Sequence, residues 1–197
     1  MTHARLHLMT GGLTLLVIGL AMLNWDIAPE RSNAWIAAMV TMPVIWVIAG
    51  LKMKLAPRVR VNEVENRFFN AAVILAGLLL VFSLAARFLG KTYGLDPSLI
   101  ERARNVFTGF ILLYFANMLP KLIGPALKGK CSSAAAHSVR RFAGWALALG
   151  AIGYIGAWLF APISQTSNIA HGCVGTAVIL VALRVSFALI KERQPST

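Results

Sequence analysis

The chain has 197 residues, 58% of them hydrophobic and 13% charged, with a formal charge of +12 and a mean hydropathy of +0.71. About a quarter of the residues in an ordinary soluble domain are charged, so this composition excludes one and makes lipid the solvent for most of the chain. The cation excess invites a nucleic-acid partner until it is located, because charge acts through its position rather than its sum.

A helix crossing the roughly 30 Å hydrocarbon layer needs about 20 apolar residues. Six runs come close to that demand, near 6–23, 34–51, 69–90, 106–124, 142–162 and 168–190. No water satisfies backbone groups at that depth, and polar and apolar residues do not alternate, so these runs predict helices rather than barrel strands. The expected fold is all-α, a single integral membrane domain over residues 1–197 formed by a bundle of six transmembrane helices. Thirteen Lys and Arg fall in the N-terminus, the second and fourth loops and the C-terminus, against five in the first, third and fifth loops. Cationic segments stay on the cytoplasmic side, so both termini are expected inside, with the chain in the plasma membrane. The basic balance is then a topology signal, attraction to anionic headgroups is secondary, and direct nucleic-acid binding is not expected.

In the first span, Gly11, Gly12 and Gly19 permit close approach of a neighbouring helix. The segment Asn24-Trp25-Asp26-Ile27-Ala28-Pro29 offers no small-x-small cleavage site, so this span reads as a retained helix rather than a signal peptide. Pro43, in the middle of the second span, removes a helical hydrogen bond and predicts a kink. The second loop mixes five cations with Glu63 and Glu65 and reads either as a docking surface or as a solvated join. The third span is the most uniformly apolar and is expected to face lipid over much of its surface. After it comes the main outer loop, with Arg87, Lys91, Tyr93, Glu101, Arg102 and Arg104, in which Asp96-Pro97-Ser98 has the form of a capped helix start.

Asn117, Pro120 and Lys121 interrupt the inner end of the fourth span. An amide and a helix-breaking proline at that depth mark either a functional site or a plain helix end with Lys121 snorkelling to the headgroups. The fifth span places Gly144, Gly150 and Gly153 at four-residue spacing from Ala148, Ala146 and Ala157, which predicts a closely packed, central helix. The sixth holds His171 near its outer end and Arg184 toward its inner end, where Arg184 either pairs with a polar group or snorkels inward. Cys131 and Cys173 fall on opposite sides of the bilayer, too far apart for an intramolecular disulfide, and without CxxC spacing they do not suggest a metal site. His3, His7 and His137 fall on the inner side and His171 on the outer, so heme ligation is not expected, nor any other cofactor. With no nucleophile beside a base and no paired carboxylates, the chain does not read as an enzyme.

Asn117-x-x-Pro120-Lys121 closes one span, and Arg141-Phe142-Ala143-Gly144-Trp145 opens the next across a basic polar loop. This arrangement resembles the SdpI-like family, bacterial multi-span proteins named for the immunity protein against a sporulation-delaying toxin. The resemblance covers roughly residues 109–160. On this match Asn117, Pro120 and Lys121 stand at the family's first motif, and Arg141, Phe142 and Gly144 at its second. Family loops carry a Gly-x-Arg-Thr-Pro-Trp element, whereas this loop reads Lys128-Gly129-Lys130-Cys131-Ser132 and on to His137, so the likeness lies in the helix ends. It implies protection of the membrane against a secreted peptide toxin, or signalling by recruitment of a cytoplasmic regulator. Lys121, Arg140 and Arg141 are expected to form the inner docking face, with Asn117 and Arg141 tying the helix ends together.

Two other readings stand beside it. A small transporter or channel component would use the kinks at Pro43 and Pro120 and the intramembrane Asn117 and Arg184, although no acidic residue lies at mid-membrane to couple an ion. A scaffold subunit of a membrane complex would suit helices rich in small residues equally well.

Overall fold

A computed structural model of the chain describes residues 3–55, 63–127 and 133–193, and these are helical almost throughout, with no strand. Six helices follow one another: α1 (His3–Ile27), α2 (Ser32–Leu55), α3 (Glu63–Tyr93), α4 (Pro97–Leu127), α5 (Ser133–Phe160) and α6 (Ile163–Arg193), with a 3-10 turn at Pro29–Arg31 between α1 and α2. At 1.5 Å per residue, the 31 residues of α3, α4 and α6 each extend about 46 Å, so a helix of this length crosses the hydrocarbon layer with turns to spare. Among the described residues four helices are long and apolar enough to cross a membrane, over Leu8–Ile27, Phe68–Tyr93, Ala134–Phe160 and Ile163–Ile190. Over the described residues the chain is an all-helical protein with the makings of a membrane protein.

Contacts divide the chain into two compact units, residues 1–104 and 105–197, with the boundary inside α4. In the first unit α1 packs against both α2 and α3, burying Val17, Ala21, Trp35, Met42 and Leu84 in one apolar cluster. Hydrocarbon gives apolar side chains no reason to leave it, so helices hold one another through close packing and shared hydrogen bonds. Two such bonds are present here. Buried Asn24 donates from Nδ2 to the Leu20 carbonyl on its own helix and to the Leu84 carbonyl on α3, at 2.8 and 3.1 Å. The indole Nε1 of Trp35 donates to the Ala28 carbonyl at 2.9 Å, and the Arg87 guanidinium lies 5.0 Å over the centroid of the Trp35 ring, within cation–π range.

The outer loop expected around Arg87 to Arg104 is much shorter than its composition suggests. Arg87, Lys91 and Tyr93 belong to α3, and Glu101, Arg102 and Arg104 to α4, leaving only Gly94, Leu95 and Asp96 between the helices. Gly94 has φ of 64°, and Leu95 donates its N–H to the Gly90 carbonyl at 3.1 Å; together these form a glycine-terminated helix end that a side chain with a Cβ would strain. Asp96 then caps α4 as the sequence predicts, its Oδ1 accepting the Ser98 N–H at 2.8 Å. Neither Pro43 nor Pro120 ends its helix: α2 runs through the first and α4 continues beyond the second to Leu127.

In the second unit α5 and α6 form the tightest antiparallel pair. Their connection is a short turn at Ala161 and Pro162, where fully buried Thr166 donates its hydroxyl to the Pro162 carbonyl at 2.8 Å. The small-residue pattern of α5 works as expected at two positions. A Cβ on Gly150 would stand 2.6 Å from the Ala177 Cβ and 3.2 Å from the Cys173 carbonyl, and one on Gly153 would meet the Cys173 Sγ at 3.0 Å. Gly11, Gly12 and Gly19 have nothing within 4 Å, and the close approach in the first unit falls instead at Gly77, against Met42 and Leu13. The span of α3 is the most apolar of the four and only 17% buried, as expected, and that of α6 is less buried still, at 6%.

Replacing Gly150 by Leu therefore forces α6 away from α5 and is expected to cost about 1–3 kcal/mol, the usual penalty of overpacking. Gly156→Ala, where a Cβ meets nothing within 4 Å, is the control and should leave the midpoint of thermal unfolding in detergent unchanged or raise it. Asn24→Leu is expected to cost about 0.6–2 kcal/mol by the same measurement, the range found for hydrogen bonds between membrane helices.

Candidate functional site

Two helical faces in the second unit define the site. Phe110, Leu113, Tyr114, Asn117, Pro120 and Lys121 follow one another on α4 at steps of three and four, and His137, Arg140, Arg141, Gly144, Trp145 and Ala148 repeat that pattern on α5. Side chains so spaced share one face of a helix. The two faces line a single groove of about 730 Å³, within the size range of small-molecule and cofactor sites.

Contacts on either side of the groove set its width. Toward one end the Tyr154 hydroxyl donates to Asn105 Oδ1 at 3.1 Å, and Gly109 lies so close to the Ile155 side chain that a Cβ there would collide with it. Further along, the Pro120 ring packs on Gly144, where an added Cβ would sit 3.4 Å from the proline Cγ. Pro120 has no N–H for the Ala116 carbonyl, so α4 gives up one rung of its ladder here, and Ala116 itself lines the groove.

The groove changes character along its length. Phe110, Leu113, Tyr114, Trp145 and Ala148 make one end apolar and aromatic, while Lys121, His137, Arg140 and Arg141 make the other basic, with Asn117 between them. From Ala148 to His137 the distance along α5 is roughly 16 Å at the helical rise. No carboxylate lines the groove, and the sequence holds no Asp or Glu from residue 105 through 191. Among the described residues no hydrogen bond or ion pair engages Asn117, Lys121, His137, Arg140 or Arg141. Such a surface can bind an anion and stack or bury an attached apolar group. It presents no nucleophile beside a base.

Six of the seven motif residues read from the sequence, Asn117, Pro120, Lys121, Arg140, Arg141 and Gly144, line this groove. Phe142 does not; it is 38% exposed on another face of α5. The expected tie between Asn117 and Arg141 takes a different form: no hydrogen bond joins them among the described residues, and the two helices meet through Pro120 and Gly144. Arg184 pairs with a polar group rather than running free, its Nη2 donating to Ser138 Oγ on α5 at 3.1 Å, one residue from His137. In the aromatic half of the groove, Tyr114 is absent from the motif reading and Trp145 is quoted there without a role, although the shared helical spacing on both helices carries the signal.

Elsewhere, His171 donates from Nδ1 to the Ser167 carbonyl at 2.6 Å and meets the Tyr154 ring edge-on. Cys173 is a half-buried free thiol. No three His, Cys, Asp or Glu side chains cluster among the described residues. The loop cations Lys128 and Lys130 with Cys131, and Arg58 and Arg60 of the second loop, lie outside the described residues, as do the side chains of His3 and His7. Comparisons with family models, with curated proteins and with solved structures return no match to this chain, which leaves the chemistry of the groove as the ground for a functional reading.

Proposed function

We propose that the chain is a six-span protein of the plasma membrane, both termini cytoplasmic, that acts in the SdpI-like manner by protecting the membrane against a secreted peptide or by recruiting a cytoplasmic partner. The working surface is the groove between α4 and α5. One observation carries this reading: two motifs that are about twenty residues apart in sequence, around Asn117–Lys121 and Arg140–Gly144, line one cavity whose cations have no carboxylate beside them. The basic end of the groove lies toward the ends of α4 and α5 that flank the basic loop, the side on which Lys and Arg retention puts the cytoplasm. A partner that presents carboxylates or phosphates to Lys121, Arg140 and Arg141 gains charge-assisted hydrogen bonds there.

The topology follows as a measurable outcome. Alkaline phosphatase fused after residue 33 or 165 is expected to be active, and the same enzyme fused to the C-terminus inactive; activity at the C-terminus would reverse the orientation. For the function, cells expressing the triple variant Lys121→Gln, Arg140→Gln, Arg141→Gln are expected to lose protection against the secreted peptide fraction of the producing culture while keeping wild-type levels of protein in the membrane. Undiminished survival of that strain contradicts the reading. Solute flux in proteoliposomes that exceeds that of empty vesicles, and that the triple variant abolishes, would favour the transporter reading instead.

A further inference from the structure

We infer that the groove between α4 and α5 is a site for an anionic phospholipid, with the phosphate among Lys121, Arg140 and Arg141 and the acyl chains along Tyr114 and Trp145. This rests on the reading above that the groove faces the cytoplasmic leaflet, and it names the ligand held there. Three features of the groove converge on this ligand. Its basic end offers two guanidinium groups and an ammonium with no carboxylate to neutralise them, the donor set that planar, bidentate recognition of phosphate uses. Its other end is aromatic, with Trp145 65% and Tyr114 42% exposed along the groove wall, amphipathic rings of the kind that sit at headgroup level. The two ends are roughly 16 Å apart along α5, so a ligand that fills the groove is charged at one end and apolar at the other. A free phosphate would use only half of it. Basic pockets between membrane helices on the cytoplasmic side are where acidic headgroups are held.

The volume of about 730 Å³ accommodates a headgroup with the upper part of its chains, leaving the rest in the bilayer. Trp145 supplies its own reporter, because a lipid seated beside the indole changes its fluorescence. Purified full-length protein in a neutral detergent is titrated with dioctanoyl phosphatidylglycerol and, separately, with dioctanoyl phosphatidylcholine. A saturating change is expected for the first at concentrations at least about tenfold below the second, and it should be lost in Trp145→Phe. In the triple variant Lys121→Gln, Arg140→Gln, Arg141→Gln the affinity for phosphatidylglycerol is expected to fall at least about tenfold, given that each cation near an anionic headgroup contributes on the order of a fivefold factor. Lys91→Gln, a cation outside the groove, should leave it unchanged.

Helical content and elution volume check that the variants are folded; were the triple variant not to fold, Arg141→Gln alone and a rise in salt, which should weaken phosphatidylglycerol binding and not that of phosphatidylcholine, test the same point. Equal affinity for the two lipids, or a folded triple variant with wild-type affinity, would overturn the inference. Inorganic phosphate competing at the same concentration as the lipid would overturn it in favour of a soluble anion. A Glu-rich peptide that displaces the lipid and binds more tightly would overturn it in favour of a protein ligand. Failure here with loss of protection in the triple variant removes the lipid and leaves the functional reading standing, whereas tight lipid binding with undiminished protection does the reverse.

Discussion

Once hydrocarbon is the solvent, every backbone N–H and C=O must find its partner inside the helix that carries it, and this constraint sets what the rest of the protein has available. Apolar side chains gain little by leaving lipid for one another, so burial does not sort the six helices into a bundle in the way it would in water. What remains is close approach and a few polar bonds. Gly77, Gly150 and Gly153 supply the first, each at a place where a Cβ would press on the neighbouring helix. Asn24 to the Leu84 carbonyl, Tyr154 to Asn105 and Arg184 to Ser138 supply the second. Each joins two helices at one depth, which fixes their register along the membrane normal as apolar contacts alone do not.

The groove follows from the same constraint at its weakest point. A proline inside a membrane helix gives up a backbone bond and keeps a neighbour from replacing it with a close glycine-type contact on that side. At Pro120 the ring itself becomes the contact, resting on Gly144, while Gly109 meets Ile155 more than two turns earlier on α4. Around these points large aromatic and cationic side chains, Phe110, Tyr114, Trp145, Lys121, Arg140 and Arg141, stand beside small ones such as Ala116, Gly144 and Ala148, and α4 and α5 leave a cavity. The motif residues are therefore architectural and chemical at once: Pro120 and Gly144 set the spacing, and Asn117, Lys121, Arg140 and Arg141 occupy the space it creates.

Local signals were the ones that could be read from the sequence. The helical character of the apolar runs and the cap at Asp96 depend on neighbours within a few residues, and both match the folded chain, while four of the helices are long and apolar enough to cross a membrane among the described residues. Which face of a helix meets which neighbour is not local. Gly11, Gly12 and Gly19 have the same spacing logic as Gly150 and Gly153, yet they face open space, because nothing in α1 states where α2 and α3 will lie. Arg87 was assigned to a loop by its charge; it belongs to α3, where its guanidinium lies over the Trp35 ring. Pro120 looked like a helix end because a proline usually is one, yet α4 runs through it, and through Gly124 and Pro125, to Leu127. The motif half of the groove was legible because two unrelated stretches shared a pattern of types, and the aromatic half was missed because Tyr114 and Trp145 are ordinary residues for a lipid-facing surface until α4 and α5 are placed side by side.

The distribution of acid residues sharpens what the groove requires. Six of the seven Asp and Glu lie before residue 105, and the seventh is Glu192 near the C-terminus. From residue 105 to 191 the second unit thus carries the cations of the groove with no acidic residue among them, and its Arg184 spends its hydrogen bond on the neutral Ser138. In water such a cluster would be screened within about 10 Å by dissolved ions. Against low-dielectric helices and aromatic walls screening is poorer and the mutual repulsion of the guanidinium and ammonium groups is larger. No residue lining the groove offsets that repulsion, and a ligand that brings negative charge into it would, which is the ground on which an anionic headgroup is proposed there. A sequence that keeps acids out of residues 105 to 191 while placing basic residues on two facing helices suits the groove to an anionic ligand rather than to a cation.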